Sequence, residues 1–291
     1  MLASRCSLCA VILLMVVTGA AQAQSPNPTA VGELLADAGY VVNNAQLDLE
    51  DIGLSPFYIT SPNSPFRQSR FYLALGAASA LWGGSFALDQ TMHGELRDLS
   101  RSDHDVMENF SYTTLISALG LLYIYGLYTD NVSLRHDLLT GAEAAGMGVL
   151  FNLGIKAGFG RLRPAQTSSH LEFFHPPSGF NSRSFTSNDM VIETAMATGI
   201  SEYYGNRWYV AAPVYSLVAL EGVTRLKNQQ WFSDVLAGGL LGWATTELLL
   251  HLHREHSLQP GRWRIVPLAA PASVPHTTAL APPALGFACL W

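Results

Sequence analysis

Apolar segments recur along this chain at residues 71–88, 112–128, 138–155, 190–202, 208–223 and 235–250, separated by polar stretches. The first is about 18 residues long, which at ~1.5 Å rise per residue nearly spans a ~30 Å hydrocarbon core. Their glycines, alanines and serines suit close contact between helices. Only 13% of residues are charged while 49% are hydrophobic, a balance that belongs to a membrane protein or a very apolar bundle. The expected fold is therefore all-α, a helical bundle of about six apolar helices, membrane-embedded or membrane-associated. Tyr112, Tyr123, Tyr125 and Tyr128 sit toward the ends of the second segment, as an aromatic belt would place them. Glu143, Glu193 and Glu247 lie inside segments, and carboxylates so placed face a bundle interior.

The flanks read differently. Residues 1–23 carry Arg5, an apolar run and the small-x-small site Ala21-Gln22-Ala23, the pattern of a secretory signal. The chain is accordingly expected to be exported, to the inner membrane or the periplasm of a bacterial envelope. Residues 24–70 are expected to be an extended arm with one short helical stretch near residues 33–38, and 71–256 the helical domain. Residues 257–291 read as a Pro-rich tail with a possible strand or hairpin over 285–291. Cys6 and Cys9 fall in the signal and Cys289 stands alone, so no disulfide is implied. The net charge of -6 and the lack of a basic tract exclude a nucleic-acid partner.

The chemistry concentrates where the third segment ends, in Lys156-Ala157-Gly158-Phe159-Gly160-Arg161-Leu162-Arg163-Pro164. Three cations beside an apolar run are costly unless they meet water or an anion. Phosphate fits best, because lysine offers a point charge and arginine a planar fork. The bland alternative is a helix C-terminus whose dipole the cations complement. Downstream, Ser184-Phe185-Thr186-Ser187-Asn188-Asp189 precedes an apolar helix that Thr186 or Ser187 would cap, turning backbone N–H groups toward an anion. Then comes Thr224-Arg225-Leu226-Lys227-Asn228-Gln229-Gln230-Trp231-Phe232-Ser233-Asp234, before the last apolar segment.

Lys-x6-Arg-Pro and the two stretches after it resemble, in order and in flanking helices, the three signatures of the type 2 phosphatidic acid phosphatase and vanadium haloperoxidase superfamily. The resemblance covers roughly residues 70–252. It implies that Lys156, Arg163 and Arg225 hold phosphate with help from Ser187 and Asn188. It further implies that a histidine in the third motif attacks phosphorus, a histidine in the second protonates the leaving group, and Asp234 orients the nucleophile. Both histidines are absent. Asp189 stands at the acid position. Counting back from Asp234 places the nucleophile at Gln230, and counting forward from Arg225 places it at Trp231, because the interval is one residue short. Pro177-Ser178-Gly179-Phe180 also resembles the second motif, with no helix following it.

Loss of a general acid costs on the order of 10² to 10⁴ in rate, and loss of a covalent nucleophile around 10⁶. The expectation is a phosphatidic acid phosphatase-like protein that keeps a phosphate pocket, with catalytic positions Asp189, Gln230 and Asp234 impaired. Its partner would be a phosphate ester or lipid phosphate, and no cofactor or metal is implied. Two alternatives stay open. One is an active lipid or acid phosphatase with relocated groups, such as His170 or His175; the other is a structural membrane protein whose pocket is a relic. His251, His253 and His256 read as a solvated helix end, because the first two alternate along a helix and point apart. His93 and His104 show no ligand-like spacing.

Overall fold

The computed structural model describes residues 28–58, 69–96, 101–175, 183–226, 230–258, 264–268 and 286–290. Its helices are α1 (Pro28–Tyr58), α2 (Ser69–Ser85), α3 (Asp89–Leu96), α4 (Arg101–Tyr128), α5 (Val132–Phe159), α6 (Asn188–Tyr203), α7 (Trp208–Leu226) and α8 (Phe232–Leu258). A 3-10 turn, Phe86–Leu88, joins α2 to α3. The all-α bundle expected from the apolar segments is the fold found. The expected signal at residues 1–23 lies outside the described residues, as does Pro177-Ser178-Gly179-Phe180.

The larger compact unit is Asn44–Arg262. In it α6 is central and packs on α5, α7 and α8, while α4 lies against α7 and α5. Two features permit that closeness. Gly238 and Gly242 face α6 so tightly that an added Cβ would lie 2.6 Å from the Ser187 carbonyl oxygen and 2.3 Å from that of Val191. Gly141 and Gly199 likewise bring α5 and α6 backbone to backbone. The core around them joins Leu115, Leu134, Leu138, Met190, Ala197, Ile200, Val218 and Val235. Among the described residues, two helices are long and apolar enough to cross a membrane, Val132–Phe159 and Phe232–Arg254. Large apolar side chains lie open on α2 (Tyr72, Leu73, Leu81), α4 (Leu121, Ile124, Tyr125) and α7 (Trp208, Tyr209).

The second unit, Met1–Asn43 with Trp263–Trp291, includes α1 up to Asn43 and a two-stranded antiparallel sheet. There β1 (Arg264–Leu268) pairs with β2 (Gly286–Leu290), Ile265 opposite Cys289 and Val266 opposite Ala288. The strand expected near 285–291 is present, with its partner far upstream.

Two expectations need correction. Most of the stretch expected as an extended arm over residues 24–70 is helical, for α1 runs unbroken from Pro28 to Tyr58. Pro28 takes the first helical position, where a missing N–H costs nothing. Burial of Leu47 and Asp48 then supplies the packing that intrinsic propensity lacks. The end of α8 is also not simply solvated, since His253 is buried.

Candidate functional site

The site grows from the way α5 stops. Gly160 takes the left-handed conformation at φ 50°, and its N–H donates to the Lys156 carbonyl at 3.2 Å. A Cβ there would sit 2.7 Å from the His175 carbonyl oxygen, so glycine is required. The reversal sends Arg161 inward and brings the next residues beside Arg183, with Leu162 and Arg183 forming an isolated antiparallel bridge. The Ser184 N–H donates to the Arg161 carbonyl at 2.8 Å.

Arg161 is the hub. Fully buried, it donates from Nη1 to Asp234 Oδ1 and to Ser233 Oγ (2.7 Å), from Nη2 to Asp89 Oδ2 (2.6 Å), and from Nε to the His170 carbonyl (2.9 Å). The rings of Phe86, Phe173 and Trp231 surround its guanidinium at 5.0, 4.9 and 5.4 Å. Asp89 also accepts from the Ser233 N–H at 2.7 Å and hydroxyl at 2.8 Å. A planar cation with five donors can satisfy two buried carboxylates at once, which lysine cannot.

Asp234 has no exposed surface, and its second oxygen accepts from Ser184 Oγ. Its backbone carbonyl accepts the Ser187 N–H at 3.2 Å. Ser187 is the N-cap of α6, its hydroxyl accepting from the Met190 N–H at 3.3 Å. Both polar handles of Ser187 are thus used within the protein. The backbone N–H ties the second motif to the third, while the side chain caps its own helix. Asn188 also faces inward, its Oδ1 accepting from Asn152 Nδ2 at 2.5 Å, while that amide donates to the Thr186 carbonyl at 3.0 Å.

The remaining cations share one neighbourhood. Lys156 is 4% exposed, with Nζ 3.4 Å from the Arg183 carbonyl, and Arg183 Nη1 returns a bond to the Lys156 carbonyl at 2.5 Å. The charges of Arg163, Asp234, Asp189 and Arg183 all act on Lys156. Arg163 is half-buried on the loop. Burial pushes its pKa below the usual arginine value, the Asp189 carboxylate opposes that, and Arg225 adds to it. Arg225 Nε lies 3.3 Å from Asp189 Oδ2, and the same guanidinium is bound to Glu221. So Lys156, Arg163, Asp189, Arg225 and Asp234 converge electrostatically, at the end of the bundle where α5 finishes and α6 and α8 begin. Lys227 lies outside the described residues.

The two residues that compete for the nucleophile position are both buried. Trp231 is buried and donates its indole N–H to the Leu162 carbonyl at 2.9 Å. Gln230 is 4% exposed, its N–H bonded to the Arg225 carbonyl at 3.0 Å, and its Oε1 is buried without a hydrogen-bond partner. His93 and His170 pack on Trp231 at centroid distances of 5.6 and 6.2 Å, each with Nδ1 buried and lacking a hydrogen-bond partner. Beside them lies a cavity of about 490 Å³ bordered by Gln90, His93, Pro164, Gln166, Thr167 and Trp231. His175 is more exposed and lies 3.6 Å from Glu172.

Sequence reasoning missed the roles of Arg161, Asp89, Ser184, Ser233 and Asn152. Arg161 stood in plain view as the third cation of the cluster. Its signal was that a lone cation inside a Gly-x-Leu run, unassigned by the motif, needs an equally unassigned carboxylate, and Asp89 at the end of an apolar segment was one.

Comparisons with known proteins bear on the family. A lipid A 1-phosphatase of Porphyromonas gingivalis is 30% identical over 221 residues, covering 74% of this chain. The chain spans 44% of that relative's own length. The crystal structure of a transmembrane PAP2-type phosphatidylglycerolphosphate phosphatase from Bacillus subtilis overlays with a TM-score of 0.41 at 19% identity, covering 67% of this chain and 96% of that one. The PAP2 superfamily pattern matches residues 111–257, about half of the chain and the whole stretch from Lys156 to Asp234. On that match, the chain belongs to the PAP2 superfamily.

Proposed function

We propose that this protein recognises a phosphorylated lipid or phosphate ester at the Lys156, Arg163 and Arg225 cluster and does not turn it over efficiently by the histidine route. The observation that carries this reading is the state of Asp234. A carboxylate that orients a nucleophilic imidazole needs that imidazole within hydrogen-bond reach. Here one oxygen is held by Arg161 and the other by Ser184, and the flanking position is Gln230. What remains is a cationic clamp, the electrostatic half of phosphoryl-transfer catalysis. The relative's name suggests a glycolipid phosphate as one member of the ligand class. Open apolar side chains on α2, α4 and α7 support a membrane setting, and residues 1–23 support export to the bacterial envelope.

The test is turnover of lipid phosphates and simple phosphomonoesters by protein purified in detergent. Background rates, no phospho-enzyme burst and a vanadate-induced rise in melting temperature that Lys156→Ala removes are expected. A kcat above about 1 s⁻¹, in the ordinary enzyme range, that Lys156→Ala abolishes would overturn the reading.

A second reading is favoured by His93 and His170, whose unbonded ring nitrogens flank Trp231. In it, the protein is an active phosphatase whose proton-transfer or nucleophilic group has moved to this loop. Activity lost in His170→Ala or His93→Ala, with the fold retained, would favour it.

A further inference from the structure

The bundle holds a second polar cluster far from the anion site. Glu143 lies thirteen residues before Lys156 on α5, about 20 Å along the helix axis. Beside it His253 of α8 places Nε2 2.8 Å from Asp48 Oδ2 and 3.7 Å from Glu143 Oε2. One ligand atom from each of the three residues lies within 4.8 Å of the others. All three side chains are more than nine-tenths buried.

The hydrogen bonding of the imidazole decides what this cluster can hold. Thr140 Oγ1 donates its one proton to the His136 carbonyl at 2.9 Å. At 3.1 Å from His253 Nδ1 the hydroxyl is therefore an acceptor, which puts the ring proton on Nδ1. In the neutral imidazole Nε2 is then a lone pair aimed at two carboxylates, an arrangement that a positive charge between them, a proton or a metal ion, relieves. Glu143 strengthens the point, because neither of its oxygens has a hydrogen-bond partner although its side chain is 6% exposed. A proton on Nε2 would leave two carboxylates facing one imidazolium, whereas a divalent ion would balance both.

We infer that Asp48, Glu143 and His253 bind one divalent first-row cation, Zn²⁺ above all, which fastens the part of α1 beyond Asn44 to α5 and α8. One imidazole and two carboxylates make three protein ligands of types that zinc accepts and leave a fourth position for water. Mg²⁺ and Ca²⁺ favour six or more oxygens and no imidazole. Bonds of about 2.0–2.2 Å put tetrahedral ligand atoms roughly 3.3–3.6 Å apart, so the observed separations close on an ion with small rotamer shifts. Thr140 supplies the outer contact that fixes the ring tautomer. The ion would sit where helices meet: Ile52, one turn past Asp48, packs on the Ala144, Ala145, Ala195 and Leu249 cluster next to it. This inference is independent of the phosphate reading.

The experiment uses the full chain in detergent, stripped by prolonged chelation and titrated with Zn²⁺. Retention of one zinc per chain, a rise of several degrees in melting temperature, and tetrahedral visible absorption on Co²⁺ substitution are expected. X-ray absorption should report nitrogen and oxygen ligands without sulfur. Glu143→Gln should lose stoichiometric zinc, and Thr140→Val should weaken it by about 10–100-fold, the usual cost of an outer-shell partner. The inference falls if folded, stripped wild-type protein takes up no zinc or gains no thermal stability from it. It also falls if Glu143→Gln and Thr140→Val bind as tightly as wild type, which would assign the metal to other groups such as His251. Should a variant fail to fold, the wild-type stoichiometry and absorption spectra still decide.

Discussion

Arg161 shows how one side chain can outrank the residues a motif names. It neutralises Asp89 and Asp234 at once, where none of the three side chains is exposed to solvent. Arg161→Met should therefore leave two buried carboxylates without their cation and destabilise by about 3–5 kcal/mol, the usual range for breaking a buried pair. Arg161→Lys should recover only part of this, since an ammonium cannot present a fork; thermal and denaturant unfolding in detergent would read both. Lys156→Ala has the opposite profile, loss of vanadate or phosphate binding with the melting temperature nearly kept. At this scale the sequence disclosed residue types well and partners poorly. Lys156, Arg163, Asp189, Arg225 and Asp234 were readable as a set because a motif orders them. That the Ser187 N–H would bind the Asp234 carbonyl, and that Asn188 would turn toward Asn152, depended on where the helices cross, which no local pattern encodes.

Helices α6 and α8 bring Asp189 and Asp234 to the site, and their approach depends on Gly238 and Gly242. Gly242→Leu would drive side-chain atoms into the Val191 backbone, and we expect a loss of about 1–3 kcal/mol or more, as for overpacked cores, with the anion site disturbed as well. The same junction governs repair. Asp189→His with Gln230→His restores both missing groups by type, yet no activity is expected, because Asp234 still answers to Arg161 and Ser184 and the connection from Arg225 to α8 is one residue short. A displacement of about 1 Å can cost around 10²-fold. Adding a residue before Gln230 is expected to be necessary; robust lipid phosphate hydrolysis by the double variant alone would disprove this. The apolar helices were legible from hydropathy, and so was the start of α6 from its capping serine. The helix α1 was not, because its stability comes from contacts made by Leu47, Asp48 and Ile52 with helices distant in sequence.

For the whole molecule, the decisive unknown is which side of a bilayer the cation cluster meets. Reporter fusions after Asn131 and after Gln166 bracket α5, the more apolar of the two candidate spans. They should give opposite compartment signals if that helix crosses, and the same signal if the bundle only rests on the membrane. Sequence hydropathy predicted the bundle and left this open, since the most basic loops are also the loops that build the site. One feature of that site gives the molecule an internal clock. The Ser184 and Ser187 amides donate across the motifs to Arg161 and Asp234, so neither can meet water unless the loop and the α6 start separate. Deuterium should enter them only with large-scale opening, among the slowest amides of the chain. If a phosphorylated ligand must part these strands of backbone to enter, its arrival rate has a ceiling set by that opening, whatever the strength of the charges waiting inside.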